Sequence, residues 1–593
     1  MRRLKESSFG ESLESTTSDL GNKVLLVEKC DWESEKPTEY VQYVTLSHCW
    51  GKLPEAQQTK LCSANIEEFK RGIKLEDLPK TFSQAMQFAA RLPEVGYIWI
   101  DSLCIKQGDK EDWLAQSAHM GRIYKEAFLN LSATAATDSQ QGLFTGHVPR
   151  ITIGDEATLN IFGLPGATKA SENFLRECAI FDLSIWANRI ENAPVNKRGW
   201  VLQERLMAPR VLHFCLDRVA WECCEFEAAE GQPEGMLNYQ LTLNGIRAGS
   251  RLKGLDPLTD GVWLRHMRLR GYHDPDPHLQ PGIYTFELWR RIVEVYCKTV
   301  LTLPGDKLIA LSGLARWMSE RIEKTPAAAT VRAAVPSEIA VSHTIPSRTT
   351  QYVAGMWALH LASQLLWYVE PTFQHDGGGK FEHLTKAPPT TLYRAPSFSW
   401  TAIDTDDGNG ITYGEVTDQD ILIIVEEVSV TPRPQSDAFG MLEDAYIVLQ
   451  VKLRKAVLLK NGSDRFKWKL VGRGSLDQYE HTDVYLDCPA RDENEQEKRR
   501  IIGPDAGVFV VLGAWTDRKM ARASKYLTCL ILQLEKREAG LVFHRIGLTK
   551  LSPYGDRKTL DEDEILKKHN DDADILDGLD YDPLTGMHRI RLV

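Results

Sequence analysis

The segment Arg198-Gly199-Trp200-Val201-Leu202-Gln203-Glu204-Arg205, followed by Arg210, gathers a carboxylate, an amide and guanidinium groups around an indole. At helical spacing Trp200 and Glu204 lie one turn apart on one face, with Arg198 at the helix start. Such a set could bind a ribose or a phosphate-bearing ligand, because guanidinium groups pair with phosphate oxygens and a carboxylate accepts from hydroxyls. The same residues also describe a salt-bridged helix with Trp200 buried, and composition alone leans slightly that way. Ser47-His48-Cys49-Trp50-Gly51 closes one apolar stretch, and Asp101-Ser102-Leu103-Cys104 closes another. If both stretches are strands of a parallel sheet, these residues stand at its carboxyl edge, where ligands collect. Gly51 would let the backbone turn there without a Cβ clash. In the plainer alternative Ser47 and Asp101 cap helices while Trp50 and Cys104 pack as core. A carboxylate ending an apolar strand nevertheless needs a partner.

Other chemistries find less support. His48, His119 and His213 lack metal-ligand spacing, so no metal site is expected. Cys104 has no evident base to make it a nucleophile. Neither GxGxxG nor GxxxxGK[ST] occurs, which removes the commonest phosphate cradles. Trp357 and Trp367 fit an apolar helix in a core.

The elements that must position these residues follow from periodicity. Tyr43–Ser47 and Tyr97–Asp101 are β-branched or aromatic runs that predict strands, and Phe128–Ala133 predicts a third. Between them Leu78, Phe82, Ala85, Met86, Ala89 and Leu92 recur at helical spacing, with Thr81 and Gln84 in the form of a capping box. Trp113, Met120, Ile123, Tyr124 and Ala127 mark the next helix. Strand, helix, strand, helix, strand is the pattern of an open, mainly parallel sheet flanked by helices. Arg198–Met207 reads as a short helix, and Val211–Cys215 and Val219–Cys223 as strands joined across Asp217-Arg218.

Further boundaries are drawn from composition. Residues 1–40 form a flexible segment, 41–225 an α/β domain, and 226–282 a Gly/Pro/Asp/Arg-rich linker or surface excursion. Residues 283–392 are expected to be helical, as in Trp289, Ile292, Val293 and Tyr296. Residues 393–593 carry strand-like runs, including Ile421–Val425, Ala445–Leu453, Val508–Trp515, Tyr526–Leu534 and Leu541–Ile546, and are expected to form a mainly β module.

With 593 residues the chain exceeds a single hydrophobic core. A net charge of −11 argues against binding to duplex nucleic acid or an anionic membrane surface. The 11 cysteines are sparse, odd in number and without a CxxC pair, so no disulfide framework is expected and a reducing compartment fits. Met1–Gly21 has no apolar core of a signal peptide, and the longest apolar run, Val508–Trp515, is too short to cross a bilayer. A cytoplasmic protein is the expectation.

Taken together, "YVTLSHCWG" (43–51), "LPKTFSQAMQFAARL" (78–92), "YIWIDSLCIKQGDKEDW" (97–113), "MGRIYKEAFLNLSA" (120–133) and "RGWVLQERLMAPRVLHF" (198–214) with "WECCE" (221–225) resemble the fungal HET (heterokaryon incompatibility) domain family. "YVAGMWALHLASQLLW" (352–367) and "YRAPSFSWTAID" (393–404) look like segments that recur downstream of the domain in long fungal members. The resemblance implies a fungal cytoplasmic protein of nonself recognition whose activated domain triggers cell death. It also implies a distant TIR-like relationship, and TIR domains include enzymes that hydrolyse NAD at the nicotinamide–ribose bond. On that analogy Glu204 is the catalytic residue, with Ser47, Trp50, Asp101, Arg198 and Trp200 binding and NAD as a substrate rather than a cofactor. Two departures stand out: His48 where the family has an aromatic before the Cys, and Gln116 where it has a Glu.

Three functions compete. A nucleotide-cleaving effector of cell death needs Glu204 at an open pocket near Asp101 or Ser47. A non-enzymatic module working through self-association or a protein partner needs that cleft filled and an apolar patch elsewhere. A HET scaffold recruited to small-molecule biosynthesis needs a deep apolar pocket.

Overall fold

Val44 and Leu46, Ile98 and Ile100, and Leu129 and Leu131 alternate along three neighbouring strands, and all six are buried in one apolar cluster. The structure, a computed structural model, describes residues 2–4, 22–28, 42–52, 54, 58–144, 155–160, 175–180, 182–236, 239–242, 245–248, 251–254, 256, 281–324, 351–370, 372–374, 380–382, 385–386, 393–405, 410–414, 416–433, 437–461, 465–471, 479–488, 500–518, 524–556, 559–560, 565 and 576–593. The chain divides into two units, Met1–Leu255 with Val262–His273 and Asp256–Gly261 with Asp274–Val593.

In the first unit the elements run β1 (Arg2–Leu4), β2 (Lys23–Leu26), β3 (Gln42–Ser47), α1 (Ile66–Arg71), β4 (Ile73–Lys74), α2 (Lys80–Ala89), β5 (Val95–Ile100), the single turn α3 (Asp101–Cys104), α4 (Lys110–Lys125) and β6 (Leu129–Ser132). They continue with the hairpin of β7 (Asp155–Asn160) and β8 (Leu175–Ile180), then α5 (Gly199–Met207), β9 (Arg210–Phe214), β10 (Val219–Cys223), β11 (Glu227–Ala229) and the hairpin of β12 (Tyr239–Thr242) and β13 (Gly245–Ala248). Nine of these strands form one sheet in the order β11-β10-β9-β6-β3-β5-β1-β2-β4.

Its four central strands, β9, β6, β3 and β5, are parallel. The flanking pairings are all antiparallel, so the sheet is mixed rather than mainly parallel. β1 and β2 come from the stretch expected to be loosely attached. Val24 and Leu26 are buried in alternation, which is why that part pairs with the sheet edge; most of residues 1–40 lies outside the described residues.

Helix α2 covers the apolar face with Phe82, Ala85, Met86 and Ala89. The expected capping box is not what starts it. Pro79, in an extended conformation, occupies the N-cap position, which places Thr81 inside the helix. Thr81 Oγ1 instead accepts from Gly142 N at 3.1 Å and Gln84 Oε1 from Leu143 N at 2.7 Å, so both side chains fasten a distant loop. The opposite face carries Trp99, Thr45, Ser47 and Asn130 and is covered by α4 and α5. Trp99, Met120, Tyr124 and Val211 form a small core there, with Trp113 and Trp200 packed against it. Asp109 caps α4 by accepting from Glu111 N and Asp112 N.

The second unit contains α6 (Pro281–Tyr296), α7 (Ser312–Lys324), the hairpin of β14 (Tyr352–Val353) and β15 (Met356–Trp357), and the single turn α8 (Leu361–Gln364). Two further ladders pair β16 (Thr372–Gln374) with β17 (Lys380–Glu382), and β18 (Thr385–Lys386) with β19 (Asp404–Thr405). The region expected to be helical is therefore helical only in part. Trp357 sits in a strand and Trp367 beyond α8, not on a common apolar helix. Both are fully buried, Trp357 edge-on against Trp289 and Tyr352 and Trp367 under the Arg545 guanidinium. Trp289 Nε1 and Trp400 Nε1 both donate to the Gly355 carbonyl, at 3.0 and 3.1 Å, and Trp367 Nε1 donates to that of Phe398 at 2.9 Å. Gly355 has φ +94, and a Cβ there would lie 2.7 Å from the Trp400 ring. The two downstream motifs are thus halves of one core.

A ten-stranded sheet follows, built from β20 (Ile424–Pro432), β21 (Leu442–Val451), β22 (Leu453–Asn461), β23 (Arg465–Leu470), β24 (Val484–Leu486), β25 (Val508–Arg518), β26 (Ser524–Arg537), β27 (Gly540–Leu551), β28 (Asp580–Asp582) and β29 (Met587–Leu592). Eight of them run in the order β20-β21-β29-β27-β26-β25-β22-β23, with β24 on β27 and β28 on β29. In β29, His588, Ile590 and Leu592 are buried while Arg589 and Arg591 are exposed, the alternation of a strand with one wet face. The C-terminal region is mainly β.

Candidate functional site

The parallel register decides which polar groups meet. Thr45 lies opposite Asn130 and Ser47 opposite Ser132, while Ser132 lies opposite His213, so one row of polar residues crosses the carboxyl edge of β3, β6 and β9. Thr45 Oγ1 donates to Asn130 Oδ1 at 3.0 Å, and Asn130 Nδ2 donates to Ser47 Oγ at 3.0 Å. With its lone pair engaged in that way, the Ser47 hydroxyl points its proton at Glu204 Oε2, 2.5 Å away. The Tyr124 hydroxyl, from α4, donates to the same oxygen at 2.9 Å.

Glu204 is 3% exposed. Burial, and next the charge of Asp101, push its carboxyl up to about 7, against the opposing influence of Arg198 and the two hydroxyls. Near neutral pH it is therefore divided between acid and carboxylate, the condition in which a side chain can give or take a proton.

Asp101 begins α3 at the end of β5. Its Oδ2 accepts from Trp50 Nε1 at 3.0 Å and its Oδ1 from Ser102 N at 2.7 Å. His48 is buried with its ring parallel to that of Trp50 (centroids 6.5 Å apart, planes 9° apart) and edge-on to Phe82. Its Nδ1 is 3.6 Å from Asp101 Oδ1, and burial lowers its pKa to about 4, so the imidazole is neutral at physiological pH. The Arg198 guanidinium donates to the His48 carbonyl. Burial raises the Cys49 thiol, which leaves it unreactive beside Val195 and Val201. Gly51 has φ +80, and a Cβ on it would come within 2.4 Å of Asp138 Cβ.

Of the six residues singled out from sequence, Ser47 and Glu204 touch, Trp50 and Asp101 touch, and Arg198 holds the backbone between them. Trp200 packs edge-to-face on Trp113, with centroids 6.2 Å apart. Glu204 does not serve as the ion-pair partner of Arg198 or Arg210; Arg210 donates to the Phe128 carbonyl and stacks on its ring. Gln116 makes a long 3.5 Å contact with Asp112 on its own helix.

Tyr124, Asn130 and Thr45 belong to the site and were not identified as such from sequence. Asn130, a polar residue amid the strand Phe128–Ala133, was the available signal, since a buried amide requires partners.

A second buried group lies behind α5. Arg205 meets Glu222 through two contacts of 2.7 and 2.9 Å, His213 Nε2 lies 3.2 Å from Glu222 Oε2, and the Lys253 ammonium donates to the Arg205 carbonyl. Despite its burial, Glu222 is held well below the usual carboxylate range, chiefly by Arg205. Burial pushes Lys253 down to about 8.

In the second unit a small cavity is lined in part by Ser397, Cys488 and Arg545. Arg545 is bound to Asp487 and to the carbonyls of Leu365 and Trp367, so every nitrogen of its guanidinium is engaged in the fold.

Among the described residues no group of three or more His, Cys, Asp or Glu side chains could hold a metal ion, and no helix is long and apolar enough to cross a membrane. No curated protein matches the chain, and no solved structure does. The family model described as heterokaryon incompatibility protein (HET) matches residues 43–204, a span that begins at β3 and ends on Glu204. The chain is a heterokaryon incompatibility domain-containing protein.

Proposed function

We propose that this is a fungal cytoplasmic protein of nonself recognition whose HET domain triggers programmed cell death. In this reading Glu204 works in a TIR-like site that cleaves the glycosidic bond of a nucleotide such as NAD. The supporting observation is the Glu204 carboxyl itself, buried at a sheet edge under two hydroxyls and within the field of Asp101. A carboxyl kept near its ionisation point is costly to hold, and such groups gather at functional sites. Around it Asp101 favours positive charge developing on a sugar ring, and the half-buried Trp50 offers an apolar wall.

The test is release of a free base from a nucleotide by the purified full chain. Glu204→Gln is expected to lower turnover by about 10²–10³-fold, the usual cost of removing one positioned group. A wild-type chain that releases no base from any nucleotide sinks this reading. The burial of Glu204, at 3% exposure, favours a second reading, a non-enzymatic module that works by assembly. Under it light scattering would show a concentration-dependent oligomer, unchanged by Glu204→Gln.

A further inference from the structure

We propose that Glu204 is the proton donor of the site, acting through Oε1 on the leaving group, so that the substrate class is a nucleotide whose base must be protonated to depart, a purine. This rests on the reading of the site as one that cleaves nucleotide glycosidic bonds, and it names the bond.

Both hydroxyl donors, Ser47 at 2.5 Å and Tyr124 at 2.9 Å, converge on Oε2, and no hydrogen bond from a described residue reaches Oε1. A carboxylic acid accepts most strongly at its carbonyl oxygen and donates from the other. Two donors on Oε2 make it the carbonyl oxygen and leave the acidic proton on Oε1. The arrangement is itself held in place, because Asn130 donates to Ser47 and Thr45 fixes the Asn130 amide. The groups facing the carboxyl from every packed element are Ser47 of β3, Tyr124 of α4, Asp101 of α3, Cys49 after β3, and Arg198 ahead of α5. Burial and Asp101 favour the protonated form, Arg198 opposes it, and Cys49 stays a neutral thiol. His48 nearby is neutral.

A proton donor is needed by some leaving groups and not by others. When nicotinamide leaves NAD, the C1′–N electron pair neutralises a pyridinium nitrogen, and the base departs neutral without a proton. When a purine leaves, the C1′–N9 pair would place negative charge on the ring, unless N7 is protonated. In the proposed step the Oε1 proton passes to N7 as the C1′–N9 bond breaks. Water then adds to C1′ and releases a proton that returns to Glu204. The products are the free purine and the ribose phosphate, with no oxidant or reductant involved. The charge of Asp101 stabilises the cationic sugar.

The experiment incubates the full chain with ATP and, separately, with NAD, and separates adenine from nicotinamide by chromatography between about pH 6 and 9. Adenine release from ATP that declines as pH rises through about 7 and is lost in Glu204→Gln supports the proposal. The decline should be retained in Cys49→Ala, which removes the nearby thiol but not the carboxyl. Nicotinamide release without adenine overturns the proposal while leaving the glycosidic-cleavage reading intact. Release of neither base overturns both.

Discussion

Glu204→Gln should make the chain more stable above neutrality, an unusual direction for a buried substitution. The carboxyl has a folded value of about 7 against an ordinary 4.5. Between those values the folded chain holds a proton that the unfolded chain has released, so stability falls as pH rises. The contribution is whole below 4.5 and lost as pH climbs through about 7. Its span is on the order of 3 kcal/mol, since each pKa unit corresponds to about 1.4 kcal/mol. Glutamine mimics the protonated acid: its carbonyl can accept from Ser47 and Tyr124, and its amide replaces Oε1–H. It has no charge to bury at any pH. Urea denaturation of both proteins at several pH values from about 4.5 to 8 gives the comparison, because every other titrating group cancels in the difference. The two should be nearly equal at the acid end and the variant ahead by on the order of 3 kcal/mol at the alkaline end. A difference that stays constant across the range would falsify the assignment of a raised Glu204.

Other expectations follow from single contacts. Gly51→Ala places a Cβ 2.4 Å from Asp138 Cβ at a φ of +80, and should cost more than about 1 kcal/mol in thermal or chemical unfolding. Glu222→Gln breaks the pair with Arg205 and should cost about 3–5 kcal/mol at neutral pH. That loss should shrink as pH falls below the ordinary carboxylate range, because the depressed Glu222 gives its stability above that range and loses it on acidification. Arg545→Met leaves Asp487 buried and unpaired, and should cost about 3–5 kcal/mol, with Asp487→Asn in the same chain recovering part of it. Recovery of nothing would show that the Leu365 and Trp367 carbonyls, not the carboxylate, need the guanidinium.

The strands and helices around the site were legible because their side chains obey simple periods. Val44 and Leu46 alternate with Thr45 and Ser47, and Phe82, Ala85, Met86 and Ala89 keep one face of α2. Ser47 and Asp101 were legible as strand ends, and their placement follows from a parallel register. What a single sequence does not reveal is which polar groups share that register. Thr45, Asn130 and Tyr124 meet only because β3 and β6 align at Thr45 and Asn130 and α4 lies over them. Thr81 and Gln84 had the spacing of a cap, yet Pro79 begins the helix two residues earlier and frees them for Gly142 and Leu143. Trp357 and Trp367 suggested a helix, but Trp357 packs on the ring of Trp289 and Trp367 Nε1 donates to the Phe398 carbonyl, partners distant in the chain. Local pattern carries period and boundary; long-range pairing carries the rest.

Strand β29 lies between β21 and β27, although β21 ends at Val451 and β29 begins only at Met587. A ribosome making this chain therefore releases every other strand of the ten-stranded sheet before the one that fills its middle. Until Met587–Leu592 emerges, β21 presents an open row of N–H and C=O groups over Ile447–Val451 to whatever strand is nearby. Contacts of such long sequence separation form slowly, and unpaired edges invite pairing between chains. The ten-stranded sheet thus closes only once Met587–Leu592 has been made, and a nascent chain stalled before Met587 is the form of this protein most in need of a chaperone.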